Sequence, residues 1–389
     1  MSKIENKDNN KIKLTILSLS LITVMSGAAV SPALGPIANY FHNAAPLLIK
    51  LIITIPSLFI ILTSLLFSLI ANKFSTKSIA ILGLILYIVG GCCAGLVNNI
   101  YLLLVFRIIL GIGVGLIMPL STGLISYLFD KNEQSTLMGY SSAMNNIGGV
   151  IALAVSGLLV AINWRYSFIV YLLGLLVMVM VIIFLPAVNI KSSRSSLDKS
   201  STLKILPHIS AMFIVMLIFY ALPANFSIIM TKQRLIPTSL IGVLMSIQNI
   251  FAFLAGMILS KIIKKFADKT KYLAIFMLFL GYLILSFTNN VYAIILALLA
   301  IGIGFGIIVP LLNLQISLNI VKEKAPAAMA LMVSMLYLGQ FLSPIILDLI
   351  KNIFNLQDIK APFFIATIIS MIFLFCLKKI PVQYTKLEN

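Results

Sequence analysis

Arg107 is the residue with the most chemistry to account for. It opens the apolar run RIILGIGVGLIMP, residues 107–119, in which Gly111, Gly113 and Gly115 recur at every second position and Pro119 closes the stretch. Holding an arginine at hydrocarbon depth costs ~2.5–17 kcal/mol, depending on how the cost is measured. Such a residue persists when it faces a protein interior or a wet cavity. A guanidinium does not deprotonate. It can bind an anion, orient a partner or lower a neighbour's pKa, but it does not itself carry a proton. The other reading is structural, an arginine hydrogen-bonded to backbone carbonyls. Gly111 and Gly115, four apart, share a helix face and permit close helix packing. The glycines do not form a phosphate loop, because no strand precedes them and their surroundings are apolar.

Other polar residues in apolar runs are candidate ligand contacts. Ser142, Asn145, Asn146 and Gly149 fall close to one face at helical spacing, with Gly148 beside them. Further along come Tyr220 and Asn225, then Gln248 and Asn249, then Asn313, Gln315 and Ser317, then Ser334, Tyr337 and Gln340. Each can equally be interhelical packing glue. Asn313 and Gln315 are two apart, so at most one of them faces a given path. Acids are nearly absent: Asp348 is the only one inside a predicted helix. Counted from Lys324 at ~1.5 Å per residue, it falls near the outer interface. His42 and His208 sit at predicted helix ends. Cys92, Cys93 and Cys376 lie in apolar runs, an odd number without loop spacing, which argues against disulfides and zinc. An intramembrane enzyme would need a nucleophile–base pair, a metal triad or paired carboxylates. None is present, and there is no Walker loop to make an ATP-driven pump. The sequence therefore implies no enzyme, no metal and no cofactor.

These residues must be held by membrane helices. Of the 389 residues, 61% are hydrophobic and only 10% charged, against about 45–50% apolar in a soluble domain. The pattern predicts twelve spanning helices over about 14–40, 47–70, 79–97, 100–128, 136–161, 166–186, 208–230, 239–262, 272–288, 291–319, 326–350 and 362–380. The net charge of +18 does not point to nucleic acid, because the lysines and arginines sit in short loops between the apolar runs. With the N-terminus cytoplasmic, 21 of them fall on the cytoplasmic side and 6 on the other, with Arg107 apart. That imbalance predicts cytoplasmic termini at both ends. Residues 26–29, Ser-Gly-Ala-Ala, resemble a signal-peptidase site. The apolar run continues through Pro32 and Pro36, however, and its counterpart lies mid-chain, so no cleavage is expected.

The polar segment 188–207, containing KSSRSSLDKSSTLK, reads as a flexible linker. It separates residues 1–187 from 208–389, which are copies of one another. Pro32 matches Pro223, Asn98-Asn99 matches Asn289-Asn290, and Tyr101 matches Tyr292. Gly111, Gly113, Gly115, Pro119 and Gly148 match Gly302, Gly304, Gly306, Pro310 and Gly339, every pair offset by 191, as in 223 − 32. Six helices per copy give the two halves the same orientation, a parallel repeat.

The loop after the second helix reads Ser68-Leu-Ile-Ala-Asn72-Lys73-Phe-Ser75-Thr76-Lys77. It is similar to the pattern G-x-x-x-D-R-x-G-R-K of the major facilitator superfamily. The acid is Asn72 here, and serines replace both glycines. The second half repeats it as Ser260-Lys-Ile-Ile-Lys264-Lys265-Phe266-Ala-Asp268-Lys269. Arg107 and Gly111 match the family's R-x-x-x-G stretch. Gly139, Gly148 and Gly157 keep part of the antiporter signature, while Ala152-Leu153 and Ser156 depart from it, and in the other half Ser343-Pro344 keeps the proline. Asn163-Trp164-Arg165 resembles the family's W-R turn.

The chain thus resembles this superfamily over about residues 14–380, and within it the twelve-helix drug–proton antiporter branch. The resemblance implies two parallel-repeat six-helix bundles, an all-α membrane fold. Helices 1, 4, 7 and 10 then line a central path. It assigns gating to Asn72, Lys73, Lys77, Lys265, Asp268 and Lys269. Substrate or coupling roles go to Arg107, Asn145, Asn146, Asn225, Asn249, Asn313, Tyr337 and Gln340, and helix packing to Gly111, Gly115, Gly148, Gly149 and Pro344. The implied function is a secondary transporter that exports small amphipathic compounds by alternating access. Its expected setting is a monomer in the lipid bilayer of the cell membrane, with protons as coupling ion and no nucleic-acid partner. The alternative is a carrier for a small organic anion or neutral metabolite, with Arg107 in the substrate site.

Overall fold

The computed structural model describes residues 6–188, 198–321 and 324–380. Among the described residues all regular structure is helical. The chain divides into two compact units, Met1–Ser193 and Arg194–Asn389. In the first unit the helices are α1 (Asn6–Ala28), α2 (Leu34–Tyr40), α3 (Pro46–Ala71), α4 (Thr76–Cys92), α5 (Ile100–Leu128), α6 (Lys131–Val160) and α7 (Leu173–Phe184). In the second they are α8 (Lys199–Phe219), α9 (Ala221–Gln233), α10 (Thr238–Met257), α11 (Leu259–Phe266), α12 (Thr270–Phe287), α13 (Val291–Asn319), α14 (Ala325–Ile353) and α15 (Ala361–Cys376). Among the described residues eleven helical segments are long and apolar enough to cross a bilayer, and α15, with 16 residues, is a shorter twelfth. Its rise of about 24 Å falls just short of the hydrocarbon core, and the turn Leu377–Lys379 extends it.

Three of the predicted spans are broken. The first is α1, a turn at Ser31–Ala33, and α2; the seventh is α8 and α9; the eighth is α10 and α11. Pro32 and Pro223 account for the first two breaks, since each lacks the amide that would continue the ladder. The sixth span opens as a nine-residue 3-10 turn, Trp164–Leu172. The fifth span begins at Lys131 rather than 136, so Glu133 is helical too, and Asp348 is not the only helical acid. Residues 189–197 of the 188–207 linker lie outside the described residues, as do the terminal segments that carry part of the charge count. Residues 199–207 are helical, as the start of α8. Asp198 occupies the cap position, where its carbonyl accepts from Thr202 N at 3.0 Å.

The duplication is visible in contacts as well as in letters. Asn99 caps α5 by accepting from Tyr101 N at 2.8 Å, and Asn290 caps α13 by accepting from Tyr292 N at 2.8 Å. The asparagine before each cap takes a cation. Arg165 Nη2 donates to Asn98 Oδ1 at 2.6 Å, and Lys360 Nζ donates to Asn289 Oδ1 at 2.6 Å. Arg165 also reaches the carbonyls of Gly95 and Val97, both at 2.9 Å, and stacks between Trp164 and Tyr40. Lys360 donates to the Thr288 carbonyl as well, and burial holds its amine below the usual lysine range.

The glycine pattern marks where backbones touch. A Cβ on Gly113 would lie 2.6 Å from Gly83 O, and one on Gly304 2.5 Å from Ala274 O. Since 274 − 83 is again 191, the same contact is built twice. Gly148 lies against α1, where a Cβ would come within 2.1 Å of Leu21 O, and Gly339 lies against Phe213 O in the same way at 2.6 Å. Gly149, next in line, is also buried.

Gly148→Val should therefore force α6 off α1 and cost about 3 kcal/mol, the upper end of the usual overpacking range. Gly139, with no atom within 4 Å of its Cβ position, is the control, and Gly139→Ala should leave stability unchanged or raise it by up to about 1 kcal/mol. Thermal unfolding of the two variants in detergent checks both; equal melting temperatures would show that the contact has no weight.

Candidate functional site

The structure gives Arg107 a complete set of partners. Pro56, inside α3, has no amide hydrogen, so the carbonyl of Ile52 one turn earlier loses its helical donor. Arg107 Nε donates to it at 2.7 Å. Near the end of α1, the carbonyl of Ser26 is one of the last four, which a helix leaves without internal donors. Arg107 Nη2 donates to it at 2.5 Å, and the Tyr171 hydroxyl donates to it at 2.7 Å. Arg107 Nη1 closes the triangle on Tyr171 Oη at 2.7 Å. Both side chains are 0% exposed. The Tyr87 ring meets that of Tyr171 edge-on at 5.5 Å. No carboxylate is among the groups bonded to Arg107; its charge rests on two carbonyl dipoles, one at the negative end of α1.

The register of α3 and α5 is what brings the arginine there. Arg107 meets Ile52, Gly111 lies on Pro56, and Gly115 lies on Ile60. Each pair differs by 55, as in 107 − 52, so the helices run parallel and in step. A Cβ on Gly111 would come within 2.6 Å of Pro56 O. The glycines thus set the distance across which the guanidinium reaches. Ile52, Pro56 and Tyr171 were not singled out in the sequence, and Ser26 was noted only as part of a segment resembling a signal-peptidase site. One signal was available: a proline in mid-helix exposes the carbonyl four residues before it.

The second unit meets a similar need without charge. Leu298 stands in place of Arg107. Pro223 frees the Phe219 carbonyl, and the Tyr282 hydroxyl donates to it at 2.9 Å. Ser343, just before Pro344 inside α14, donates to Leu217 O at 2.7 Å. Leu217 is the counterpart of Ser26, because 217 − 26 is 191.

The other predicted residues fall into two groups, one per unit. In the first, Asn145 accepts from Thr23 Oγ1 at 3.0 Å, one turn before Ser26. It belongs to a polar ladder along α1 and α6 with the Lys13–Glu133 ion pair at 2.7 Å and the Ser20–Ser141 pair at 2.7 Å. Asn146 turns back to Ser142 O on its own helix at 3.0 Å. In the second unit, Asn225 is buried and donates to Ala221 O at 2.9 Å. Asn249, Asn313, Tyr337 and Gln340 are half-buried on α10, α13 and α14, while Gln315 is fully buried. Asp348 is half-buried. At the start of α8, Asp198 pairs with Lys324 at 2.7 Å. That hydrogen bond, with a second from Ser201, holds the carboxyl down to about 2.

Of the loop residues, Asn72, Lys73, Lys265, Asp268 and Lys269 are exposed and Lys77 is half-buried in the first turn of α4. Ser75 caps α4, accepting from Ser78 N at 3.2 Å. Its second-half equivalent, Ala267, holds φ 42° and ψ −123°, a conformation suited to the glycine that the loop pattern carries there.

The Major Facilitator Superfamily model matches residues 16–344 and 209–388. The chain belongs to the Major Facilitator Superfamily. Among relatives, the quinolone resistance protein NorA of Staphylococcus aureus is 25% identical over 313 residues, covering 78% of this chain and 79% of NorA. Among solved structures, a bacterial homolog of the human lysosomal transporter Spinster, inward-facing and unoccupied, superposes with a TM-score of 0.75 at 15% identity, over 97% of this chain and 98% of that one. The xylose transporter XylE from E. coli, inward open, superposes with a TM-score of 0.74 at 16% identity, over 96% of each chain. The chain is a multi-pass membrane transporter of small molecules, not an enzyme.

Arg107→Leu, which installs the counterpart found at 298, should remove three donated hydrogen bonds and lower the melting temperature more than Tyr171→Phe does. The latter should cost about 0.6–1.7 kcal/mol, the range for hydrogen bonds between membrane helices. Arg107→Lys should rescue only part of the loss, since an ammonium lacks the planar fork. An Arg107→Leu variant as stable as the parent would show that these three bonds do not hold the helices together. Separately, Ala267→Gly should raise stability by about 1 kcal/mol by releasing backbone strain; a lowered melting temperature would contradict that reading.

Proposed function

We propose that the chain exports small amphipathic compounds as a proton-coupled secondary transporter working by alternating access. We place it as a monomer in the cell membrane, with both termini in the cytoplasm. The observation that carries this reading is the similarity to a quinolone resistance protein over more than three quarters of both chains. The charge imbalance of the loops supports the orientation. The half-buried amide of Asn145 in the first unit, and those of Asn249, Asn313 and Gln340 with the Tyr337 phenol in the second, suit recognition by shape and a few hydrogen bonds rather than by one fixed charge. The gating role of Asn72, Lys73, Lys77, Lys265, Asp268 and Lys269 is part of the same proposal, and their position at helix turns supports it.

In this reading Arg107 positions α1 and α3 and does not touch cargo. Its complete burial and its three donated bonds support that role over anion binding. For the coupling proton, Asp348 is the candidate. Among the described residues it is the one acid in the interior of a spanning helix; Asp8 and Glu133 stand in first turns, and the others in caps and turns.

The test is transport into everted membrane vesicles, using a fluorescent amphipathic cation, a neutral amphipath and an organic anion. Uptake of the cation or the neutral compound that stops when the proton gradient is collapsed is the expected result. Asp348→Asn should keep binding but lose the dependence on the gradient. Transport of the anion alone, abolished by Arg107→Lys with the fold intact, would overturn the proposal in favour of an anion carrier.

A further inference from the structure

The eighth span does not end as its first-half counterpart does. α3 runs unbroken to Ala71, whereas α10 stops at Met257, bends at Ile258 (φ −96°, ψ 7°) and restarts as α11. α11 reads Leu259-Ser-Lys-Ile-Ile-Lys-Lys-Phe266. Leu259 and Ile263, one turn apart, are buried, while Lys261, Lys264 and Lys265 share the exposed side. The turn that follows adds an exposed Lys269 and one exposed acid, Asp268. The remaining cation of the cluster, Lys271, is committed to the Ile380 carbonyl at 2.7 Å. Large apolar groups border the basic face: Leu254, Met257, Ile258 and Phe266 are 45%, 66%, 48% and 38% exposed. Lys265 Nζ lies 5.5 Å from the Phe266 ring centroid.

A short helix with one buried edge, a lysine face and a rim of exposed apolar side chains, set at the end of a membrane span, has the form of an interfacial helix. In a helix of that kind aliphatic lysine stems lie along the acyl boundary while the ammonium groups reach the headgroup layer. Positive-inside lysines serve orientation by number alone, and they need no amphipathic helix. In the first-half loop, Leu69 and Asn72 occupy the places of Lys261 and Lys264, so this arrangement belongs to the second copy.

We infer that α11 and its following turn bind the phosphate headgroups of anionic phospholipids, with Lys261, Lys264, Lys265 and Lys269 as the cationic contacts and Phe266 as the apolar anchor. Each lysine near an anionic surface contributes a factor of about five in affinity, so neutralising all four should weaken the interaction by about 600-fold. The lipid is phosphatidylglycerol or another phospholipid of net negative charge; zwitterionic phosphatidylcholine does not compete.

The test uses the full chain in phosphatidylcholine nanodiscs containing increasing fractions of phosphatidylglycerol, with thermal stability and the recovery of co-purifying lipid as readouts. Phosphatidylglycerol should raise the melting temperature and be retained, and the effect should weaken at high salt. The quadruple Lys→Gln variant should lose both effects, and the quadruple Lys→Arg variant should keep them. A control neutralising the exposed Lys199, Lys204 and Lys378, which carry no gating role, should keep both lipid effects of the parent. Equal retention by the quadruple Gln variant, equal loss in the control, or the same stabilisation by soluble glycerol phosphate without acyl chains would each overturn the assignment.

Discussion

A guanidinium cannot stay in a hydrocarbon layer without acceptors, and in this protein the acceptors are backbone. The Ile52 carbonyl is free because Pro56 has no hydrogen to give it, and the Ser26 carbonyl because α1 ends two residues later. Unpaired backbone groups in lipid cost several kcal/mol each. The arginine and the two helix defects therefore satisfy one another, and removing either side leaves the other exposed to the same penalty. The Tyr171 hydroxyl joins the sixth span to this arrangement. In the first unit, the positions of four spans converge on one buried cation.

The two copies show how a duplicated frame can be finished differently. Both break the first span of the copy at a proline and press glycine-bearing helices onto neighbouring backbone. Hydroxyls of Tyr282 and Ser343 complete the second copy, each tying one carbonyl. Arg107 with Tyr171 ties two carbonyls and links helices that the hydroxyls would hold separately. The basic amphipathic turn of α11 is a second departure, confined to the other copy. Divergence has thus placed charge at a buried joint in one half and at an interfacial helix in the other.

Residues at a fixed offset proved to be structural in more ways than one. The Asn-Asn-x-Tyr pair divides its work, one asparagine capping a helix and the other holding Arg165 or Lys360. The glycines mark backbone contacts at equivalent places in both units. The asparagines predicted for a ligand are mixed. Asn145 crosses to Thr23, whereas Asn146 and Asn225 turn back on their own helices. A polar side chain in a membrane helix satisfies itself locally when it can, and its letter alone does not say which choice it makes.

The sequence by itself determined the class of fold, the span positions to within a turn at most boundaries, and the duplication. Hydrophobic length and repeat spacing are local or one-dimensional properties, and a bilayer reads them directly. It also set Arg107 apart, because charge at that depth is costly wherever the chain goes. Only the tertiary structure decided which groups the arginine is bonded to. The carbonyls of Ile52 and Ser26 carry no side-chain signature, and the register of 55 between α3 and α5 follows from glycine contacts that no single helix contains. The helical start at Lys199 and the break before α11 were likewise hidden. Polar, lysine-rich sequence reads as linker until a packing surface makes it a helix, and the partner that holds the Asp198 cap, Lys324, comes from elsewhere in the fold.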